Sequence, residues 1–224
     1  MEYGRTRIYL TGMILGGVLS FVMVGPVMAV SPKTPTESVK STITDLVRVL
    51  VDQEMYQPTR SSDRLREIER ALRSHVSFEE MARRSLGRPW SDLTEMEQHA
   101  FSDLFIQFLA RSVSGWRFDN PLYARFHEYS DHFVIYQSER SEGKFSEVRT
   151  RLRSLKADTQ LDFRLVNQSG DWRVYDVVAD YVSVSDNYRA QFANILRLFT
   201  FGELEGALNE NPLLPLLEKA LNRR

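Results

Sequence analysis

The chain has 224 residues, a formal net charge of −1 and no cysteine, and 42% of its residues are apolar. This length is enough for one sizeable domain or two small ones, and the apolar content is typical of a packed core rather than of a disordered chain. The near-zero charge argues against nucleic-acid binding, which needs a basic surplus or a basic stripe. The lack of cysteine excludes disulfides, a thiol nucleophile, a structural zinc site and lipoprotein acylation.

The first 29 residues have the three-part pattern of a secretory signal peptide. Arg5 and Arg7 form a short basic start, residues 8–24 are apolar and uncharged, and small residues precede a cleavage point after Ala29. The alternative is a membrane anchor, because the apolar run is near the lower limit for a spanning helix. Cleavage would remove two arginines and one glutamate, leaving about 195 residues with a formal charge of −2 outside the cytoplasm.

Residues 30–35 are proline-containing and lack an apolar period, which predicts a linker before a single domain at residues 36–224. Thr36 is the expected N-cap of a first helix, whose apolar residues recur at helical spacing. A second helix is predicted at residues 61–74, where most of the surface is charged and the apolar face is narrow.

Two further helix starts have the spacing of a capping box, in which two side chains satisfy the free N–H groups of a first turn. Ser77 with Glu80 is one, and Thr94 with Glu97 is the other.

The helix after Thr94 carries three phenylalanines, Phe101, Phe105 and Phe108, on one broad apolar face. Such a face packs into an ordinary core or lines a ligand chamber, because pockets are lined by the same residue types that fill cores. The periodicity leaves both interpretations open.

From about residue 132 the apolar period changes to two, which is the period of a strand with one buried face. Strands are predicted at residues 133–136, 148–153, 161–165 and 172–178, with polar turns at residues 139–143 and 168–171. The short connections predict an antiparallel meander. Helical spacing returns from Tyr188 to Phe199, Gly202 is expected to end or kink that helix, and residues 212–217 begin a last short one. Helices, then strands, then helices indicate an α+β fold.

Catalytic and metal-binding patterns are missing from the sequence. The four histidines have no helical ligand spacing, and there is no G-x-S-x-G and no glycine-rich phosphate loop. Asp176 and Asp180 would lie about 13 Å apart on a strand, which is too far for a pair of glycosidase carboxylates. Asp176 is expected to pair with an arginine or a backbone N–H, and Ser185 or Ser183 to cap the next helix. No cofactor is expected.

Four segments together resemble the MlaC, or toluene-tolerance, family of periplasmic phospholipid carriers. They are Leu86-Gly87-x-x-Trp90, Leu93-Thr94-x-x-Glu97-x-x-x-Phe101-x-x-x-Phe105, Trp172-Arg173-Val174-Tyr175-Asp176-Val177, and Val182-Ser183-Val184-x-x-Asn187-Tyr188-Arg189-x-Gln191-Phe192. The similarity spans about residues 39–208. The order and spacing of the last two segments make it fairly specific.

The chain departs from the family pattern at three places. Asp180-Tyr181 replaces the usual Glu-Gly, Val184-Ser185 follows Ser183 where Leu-Val is common, and Trp116 replaces a tyrosine after the long helix. Glycine permits backbone shapes that tyrosine resists, so the turn at Tyr181 is expected to differ. These changes leave the lipid open, and a hopanoid or another lipid in a specialised branch is the alternative ligand.

The resemblance implies a carrier with acyl tails inside and the head group outside, exchanging a phospholipid between an outer-membrane lipoprotein complex and an inner-membrane ABC transporter with its substrate-binding ring. It further implies an α+β fold in which N- and C-terminal helices pack on the meander around an apolar cavity. The candidate lining residues are Phe101, Phe105, Phe108, Phe163, Val174, Val178, Tyr188 and Phe192. Arg189 is a candidate rim charge for the head group.

Two other functional readings of the sequence stay open. One is an enzyme on a cone-shaped α+β fold, in which a buried Asp176 with a raised pKa acts as the base. The other is an exported binding module with a solid core and no chamber for acyl chains.

Overall fold

The computed structural model describes residues 33–114, 133–153 and 158–210. Within these ranges the chain forms six α-helices and one five-stranded sheet, which confirms the α+β prediction. The predicted signal peptide, Trp116 and the predicted last helix lie outside the described residues.

Four helices precede the sheet and two follow it. Their bounds are α1 Pro35–Val51, α2 Ser61–His75, α3 Phe78–Leu86, α4 Glu95–Ser114, α5 Val184–Ile195 and α6 Phe201–Glu210. Short 3₁₀ turns connect some of them, at Gln53–Tyr56, Pro58–Arg60 and Arg88–Asp92. None of the helices in the described ranges is long and apolar enough to cross a membrane.

The sheet is an antiparallel meander in which each strand pairs with the next one along the chain. The strands are β1 Val134–Glu142, β2 Phe145–Leu152, β3 Thr159–Gln168, β4 Asp171–Ala179 and β5 Val182–Ser183. Val148, Phe163, Leu165 and Val174 belong to the same buried cluster as the phenylalanines of α4, so one face of the sheet packs against the helices.

The predicted polar turn at residues 139–143 is wrong, because β1 continues through it to Glu142. Arg140 pairs with Glu147 and Ser141 with Ser146 on the neighbouring strand, and the true turn lies at Gly143 and Lys144. Most of β1 is exposed, so burial imposes no apolar alternation, and a polar strand is easily read as a loop.

The first predicted cap is wrong, and the second is right in position but lacks the capping hydrogen bond. Thr34, not Thr36, caps α1: its hydroxyl accepts from Glu37 N, and the Glu37 carboxylate accepts from Thr34 N. Ser77 precedes α3 without capping it, since its hydroxyl instead accepts from Gln168 Nε2 at 3.0 Å. Pro35 fits the first helical position of α1, where a missing N–H costs nothing.

Two capping boxes lie at the starts of later helices, α4 and α6. The box of Thr94 and Glu97 before α4 is confirmed. A second box, Thr200 with Glu203, starts α6 and was not predicted. Because α5 has already ended at Ile195, Gly202 lies inside α6 and does not end or kink the preceding helix, contrary to the prediction.

Candidate functional site

An aromatic cluster joins α4 to α5, and it consists of Phe101, Phe105, Phe108, Tyr188 and Phe192. The rings of Phe101 and Phe105 stack at 6.1 Å, and those of Phe105 and Phe108 stack at 6.4 Å. Tyr188 meets Phe105 edge-on at 5.3 Å, and Phe192 does so at 5.7 Å. Five of the predicted lining residues are therefore brought together.

The members of the aromatic cluster differ in how much surface they leave open. Phe101, Phe105 and Phe192 have no exposed surface, and Phe108 is almost fully buried. Tyr188 is only half-buried. Burial raises the pKa of the Tyr188 phenol, and a hydrogen bond with Ser112 on α4 offsets part of this effect. Tyr188 is thus the member with both a polar group and open surface.

The three sheet residues of the predicted lining are not all on one face. Phe163 and Val174 belong to the core cluster, whereas Val178 is buried outside it and Val177 packs against the core instead. The cause is a β-bulge, since Arg164 pairs with Asp176 and Leu165 with Val174, leaving Tyr175 as an extra residue on β4. Simple alternation of every second residue could not have located this shift.

Arg189 projects from the exposed side of α5 and pairs with Asp186 at 2.7 Å. Its aliphatic stem lies over Gly87, so the Leu-Gly turn after α3 and the Asn-Tyr-Arg segment meet in space. Gly87 has φ +71° and ψ −134°, a backbone conformation open mainly to glycine.

Asp176 holds the junction between the sheet and α5. Its side chain is 1% exposed and accepts from Arg164 Nη1 at 3.0 Å, from Ser183 Oγ at 2.7 Å and from Ser185 N at 2.9 Å. Ser183 is the N-cap of α5, accepting from Asp186 N at 3.0 Å. The predicted role of Asp176 as a partner for an arginine and a backbone N–H is confirmed.

These contacts contradict the enzyme reading, which needed Asp176 in apolar surroundings. A carboxylate that accepts from a guanidinium, a hydroxyl and a backbone N–H lies in polar surroundings, and both of its oxygens are already engaged by donors of the protein. Among the described residues there is also no group of acidic and histidine side chains that could hold a metal ion.

The turn between β4 and β5 keeps a glycine-like backbone without a glycine. Asp180 has φ +44° and Tyr181 has φ +70°, so both residues adopt left-handed conformations in a two-residue hairpin turn. The Tyr181 side chain is 85% exposed. Two residues with side chains thus occupy positions where a glycine would be unstrained.

The fold is similar to that of a solved structure, the phospholipid-binding protein from Ralstonia solanacearum in complex with a phospholipid. The two sequences are 19% identical, the match covers 84% of this chain and 99% of that chain, and the TM-score is 0.59. At this identity the likeness shows the fold alone. A search of the curated proteins finds no match.

A family model described as MlaC protein matches residues 40–210, which is well over half of the chain. The matched range contains α4, the whole sheet and α5, and hence every contact of the aromatic cluster and of the Asp176 junction. The chain therefore belongs to the MlaC family.

Proposed function

We propose that the chain carries a phospholipid through the periplasm, with the acyl tails in its apolar interior and the head group outside. The observation that carries the proposal is the family match over residues 40–210, since MlaC proteins are lipid carriers rather than enzymes. The phospholipid bound by the structurally similar Ralstonia protein supports the same ligand class.

Such a carrier is needed because hydrocarbon is costly to expose to water. Burying each CH₂ gains about 0.8 kcal/mol of free energy, so leaving two acyl chains of roughly sixteen carbons in water costs on the order of 25 kcal/mol. A dry protein interior makes the transfer nearly isoenergetic and requires no covalent step. Delivery then depends on differences in lipid affinity between the docked and the free carrier.

The tails would lie beside the aromatic cluster rather than among its rings. Side chains without exposed surface touch a ligand only after rearrangement, and Phe101, Phe105 and Phe192 are in that position. Apolar side chains that keep some open surface while packing on the core are better candidates for direct contact. They are Leu109 and Val113 of α4, Leu161 of β3, Val177 of β4 and Tyr188 of α5.

The predicted lining then divides into two layers. The buried phenylalanines together with Phe163 and Val174 would form a rigid wall, and Tyr188 would lie at the surface of that wall. Arg189, one residue further along α5, is exposed on the solvent side and would meet the phosphate. An anionic head group would compete with Asp186 for the Arg189 guanidinium.

The proposal includes the route as well as the ligand. The signal-peptide pattern of residues 1–29 would deliver the chain to the periplasm, where the MlaC family resides. There the carrier would dock with an inner-membrane ABC transporter complex carrying a substrate-binding ring, and with an outer-membrane lipoprotein complex.

Native mass spectrometry of the protein purified from the periplasm tests this proposal. We expect a second species heavier by the mass of one diacyl phospholipid, which solvent extraction and lipid analysis then identify. The control is the same protein unfolded, delipidated and refolded, which should show only the polypeptide mass. Several mild preparations without any bound lipid would contradict the proposal, and a hopanoid in place of a phospholipid would correct the ligand class.

A further inference from the structure

A row of alternating charges crosses the sheet on the face turned away from the phenylalanines. The strand register places Arg140 of β1 opposite Glu147 of β2, Glu147 opposite Arg164 of β3, and Arg164 opposite Asp176 of β4. The row therefore reads plus, minus, plus, minus from the edge strand inward, and its inner end is the Asp176 junction.

The inner members of the row are paired, and the outer one is not. Arg164 Nη1 lies 3.0 Å from Asp176 Oδ2, and Arg164 Nε lies 3.8 Å from Glu147 Oε2. The other oxygen of Glu147 accepts from Arg149 Nε at 2.9 Å. Arg140 is exposed and forms no ion pair with any residue that the structure describes. The row thus ends at the sheet edge in an unneutralised guanidinium.

A depression of about 350 Å³ opens over this part of the sheet. Its lining includes Arg140, Phe145, Glu147, Arg149, Arg164 and Tyr175. None of these residues belongs to the aromatic cluster or to the candidate lipid contacts. The depression is therefore a separate site from the interior proposed for the lipid tails.

Two rings line the depression, and an arginine from α3 packs on both of them. Phe145 and Tyr175 meet edge to face at 5.8 Å. The guanidinium of Arg84 on α3 lies over the Tyr175 ring at 4.2 Å and over the Phe145 ring at 5.4 Å. Glu80 accepts from Arg84 Nε at 2.7 Å and fixes it in place. The two rings are thus held by α3 as well as by the sheet.

We propose that this depression docks a carboxylate side chain from an acidic segment of a partner protein. An incoming carboxylate at Arg140 would continue the alternation of charge by one step, and planar guanidinium groups bind carboxylates with two hydrogen bonds. Arg149, whose side chain is 57% exposed, offers a second guanidinium nearby. The part of Phe145 that stays exposed in the depression would contact the stem of the bound side chain.

A protein partner fits this surface better than an anionic membrane does. Membrane surfaces attract clusters of basic residues that act together. Here Glu142 and Glu147 line the same depression and would face the lipid phosphates with like charge. A discrete carboxylate can approach Arg140 and Arg149 while avoiding those acids, which a continuous anionic plane cannot.

The inference rests on the proposed function only in that a carrier has to dock with other proteins to load and unload.

The test is fluorescence polarisation of a labelled hexaglutamate peptide at low salt, with the full mature protein. Arg140→Glu should weaken binding about tenfold, because the reversal removes an attraction and adds a repulsion. Arg197→Glu, an equal charge change at an exposed position outside the depression, should change binding less than about twofold.

A second variant should strengthen peptide binding instead of weakening it. Glu147→Gln releases Arg149 from its carboxylate partner and leaves Arg164 with Asp176 alone, so the peptide should bind several-fold more tightly, a gain that misfolding cannot produce. Equal losses for Arg140→Glu and Arg197→Glu, or no gain for Glu147→Gln, would overturn the proposal. So would Arg140-dependent binding to phosphatidylcholine–phosphatidylglycerol vesicles without binding to the peptide.

Measuring bound lipid in the same preparations separates this inference from the proposed function. Arg140→Glu should keep the lipid content of the parent protein while losing the peptide. If the parent protein holds no lipid but binds the peptide through Arg140, the result supports the docking site and contradicts the carrier function.

Discussion

The aliphatic stem of Arg189 lies directly over Gly87, and a Cβ built on Gly87 would be 3.4 Å from Arg189 Cδ. This contact joins the turn after α3 to the solvent-facing side of α5. It explains in physical terms why a glycine and an arginine more than a hundred residues apart belong to one sequence pattern. The backbone conformation of the turn, with φ +71° at Gly87, favours glycine, and the arginine stem packs over that turn.

Gly87→Ala should destabilise the fold by about 1–3 kcal/mol, because an L-residue is strained at this φ and ψ, although its Cβ would only make an ordinary contact with the Arg189 stem. Urea unfolding followed by circular dichroism measures the change. Gly206→Ala is the matched control, since Gly206 lies within α6 with no atom near a built Cβ, and it should stabilise the fold by about 1 kcal/mol. Equal effects of the two variants would contradict the assigned role of Gly87.

Asp176→Asn should lower the free energy of unfolding by about 2–3 kcal/mol. The change keeps the shape of the side chain but leaves Arg164 without its buried counter-ion, and the guanidinium is partly solvated, so the cost is below that of a fully buried pair. Asp171→Asn, at the exposed start of the same strand, should change stability by less than about 0.5 kcal/mol. A neutral result for Asp176→Asn would show that the junction does not depend on this carboxylate.

Tyr181→Gly should stabilise the protein by about 0.5–1 kcal/mol, since it relieves a left-handed non-glycine residue at the cost of some chain entropy. Tyr181→Ala removes the same exposed ring but keeps the strain, and it should leave stability almost unchanged. Thermal unfolding of the two variants distinguishes backbone strain from exposure of the ring as the unfavourable feature. Stabilisation by both would mean that the exposed ring, and not the backbone, is the unfavourable feature.

Acid should selectively remove the contribution of Glu80. Burial by itself would raise the pKa of this carboxyl, but hydrogen bonds from Arg83 and Arg84 outweigh burial and hold the pKa below its ordinary value of 4.5. A carboxyl whose pKa is lowered by folding stabilises the fold above the unfolded pKa and loses that effect as the pH falls through the folded pKa.

The difference in unfolding free energy between the parent protein and Glu80→Gln should accordingly be constant near neutral pH and shrink below about pH 4.5. Urea titrations across that range measure it. A difference that persists unchanged in acid would contradict the assignment to the ionised carboxylate.

The architecture could be predicted from the sequence because, over most of the chain, the spacing of apolar residues and the positions of turn residues match the observed burial. The strands β2 to β4 have apolar residues on one face, and the turn at Ser169 and Gly170 has the left-handed residues that a two-residue hairpin requires. The strand β1 was partly missed because its exposed residues do not alternate. The start of α1 is misplaced because Thr34, and not Thr36, forms the capping box with Glu37. Ser77 takes its predicted position before α3, but its hydroxyl binds Gln168 instead of the helix.

The candidate site was predictable in composition but not in arrangement. Helical spacing put the phenylalanines of α4 on one face, and the family resemblance added Tyr188 to them. The bulge at Tyr175 that exchanges Val178 for Val177 has no local signal in the sequence. The outer depression was missed for a related reason. Arginines alternate visibly along β2, but Arg140 belongs to the row only once the register with β1 is known.

The position of a bound acyl chain tests the central claim most directly. A phosphatidylcholine analogue with a diazirine at the end of one acyl chain can be loaded, irradiated and mapped by peptide mass spectrometry. If the tails lie beside the aromatic cluster, the labelled peptides should come from α4 and α5, at or near Leu109, Val113 and Tyr188. Labels spread over exposed surfaces, with none on α4 or α5, would contradict a carrier that holds its lipid tails inside.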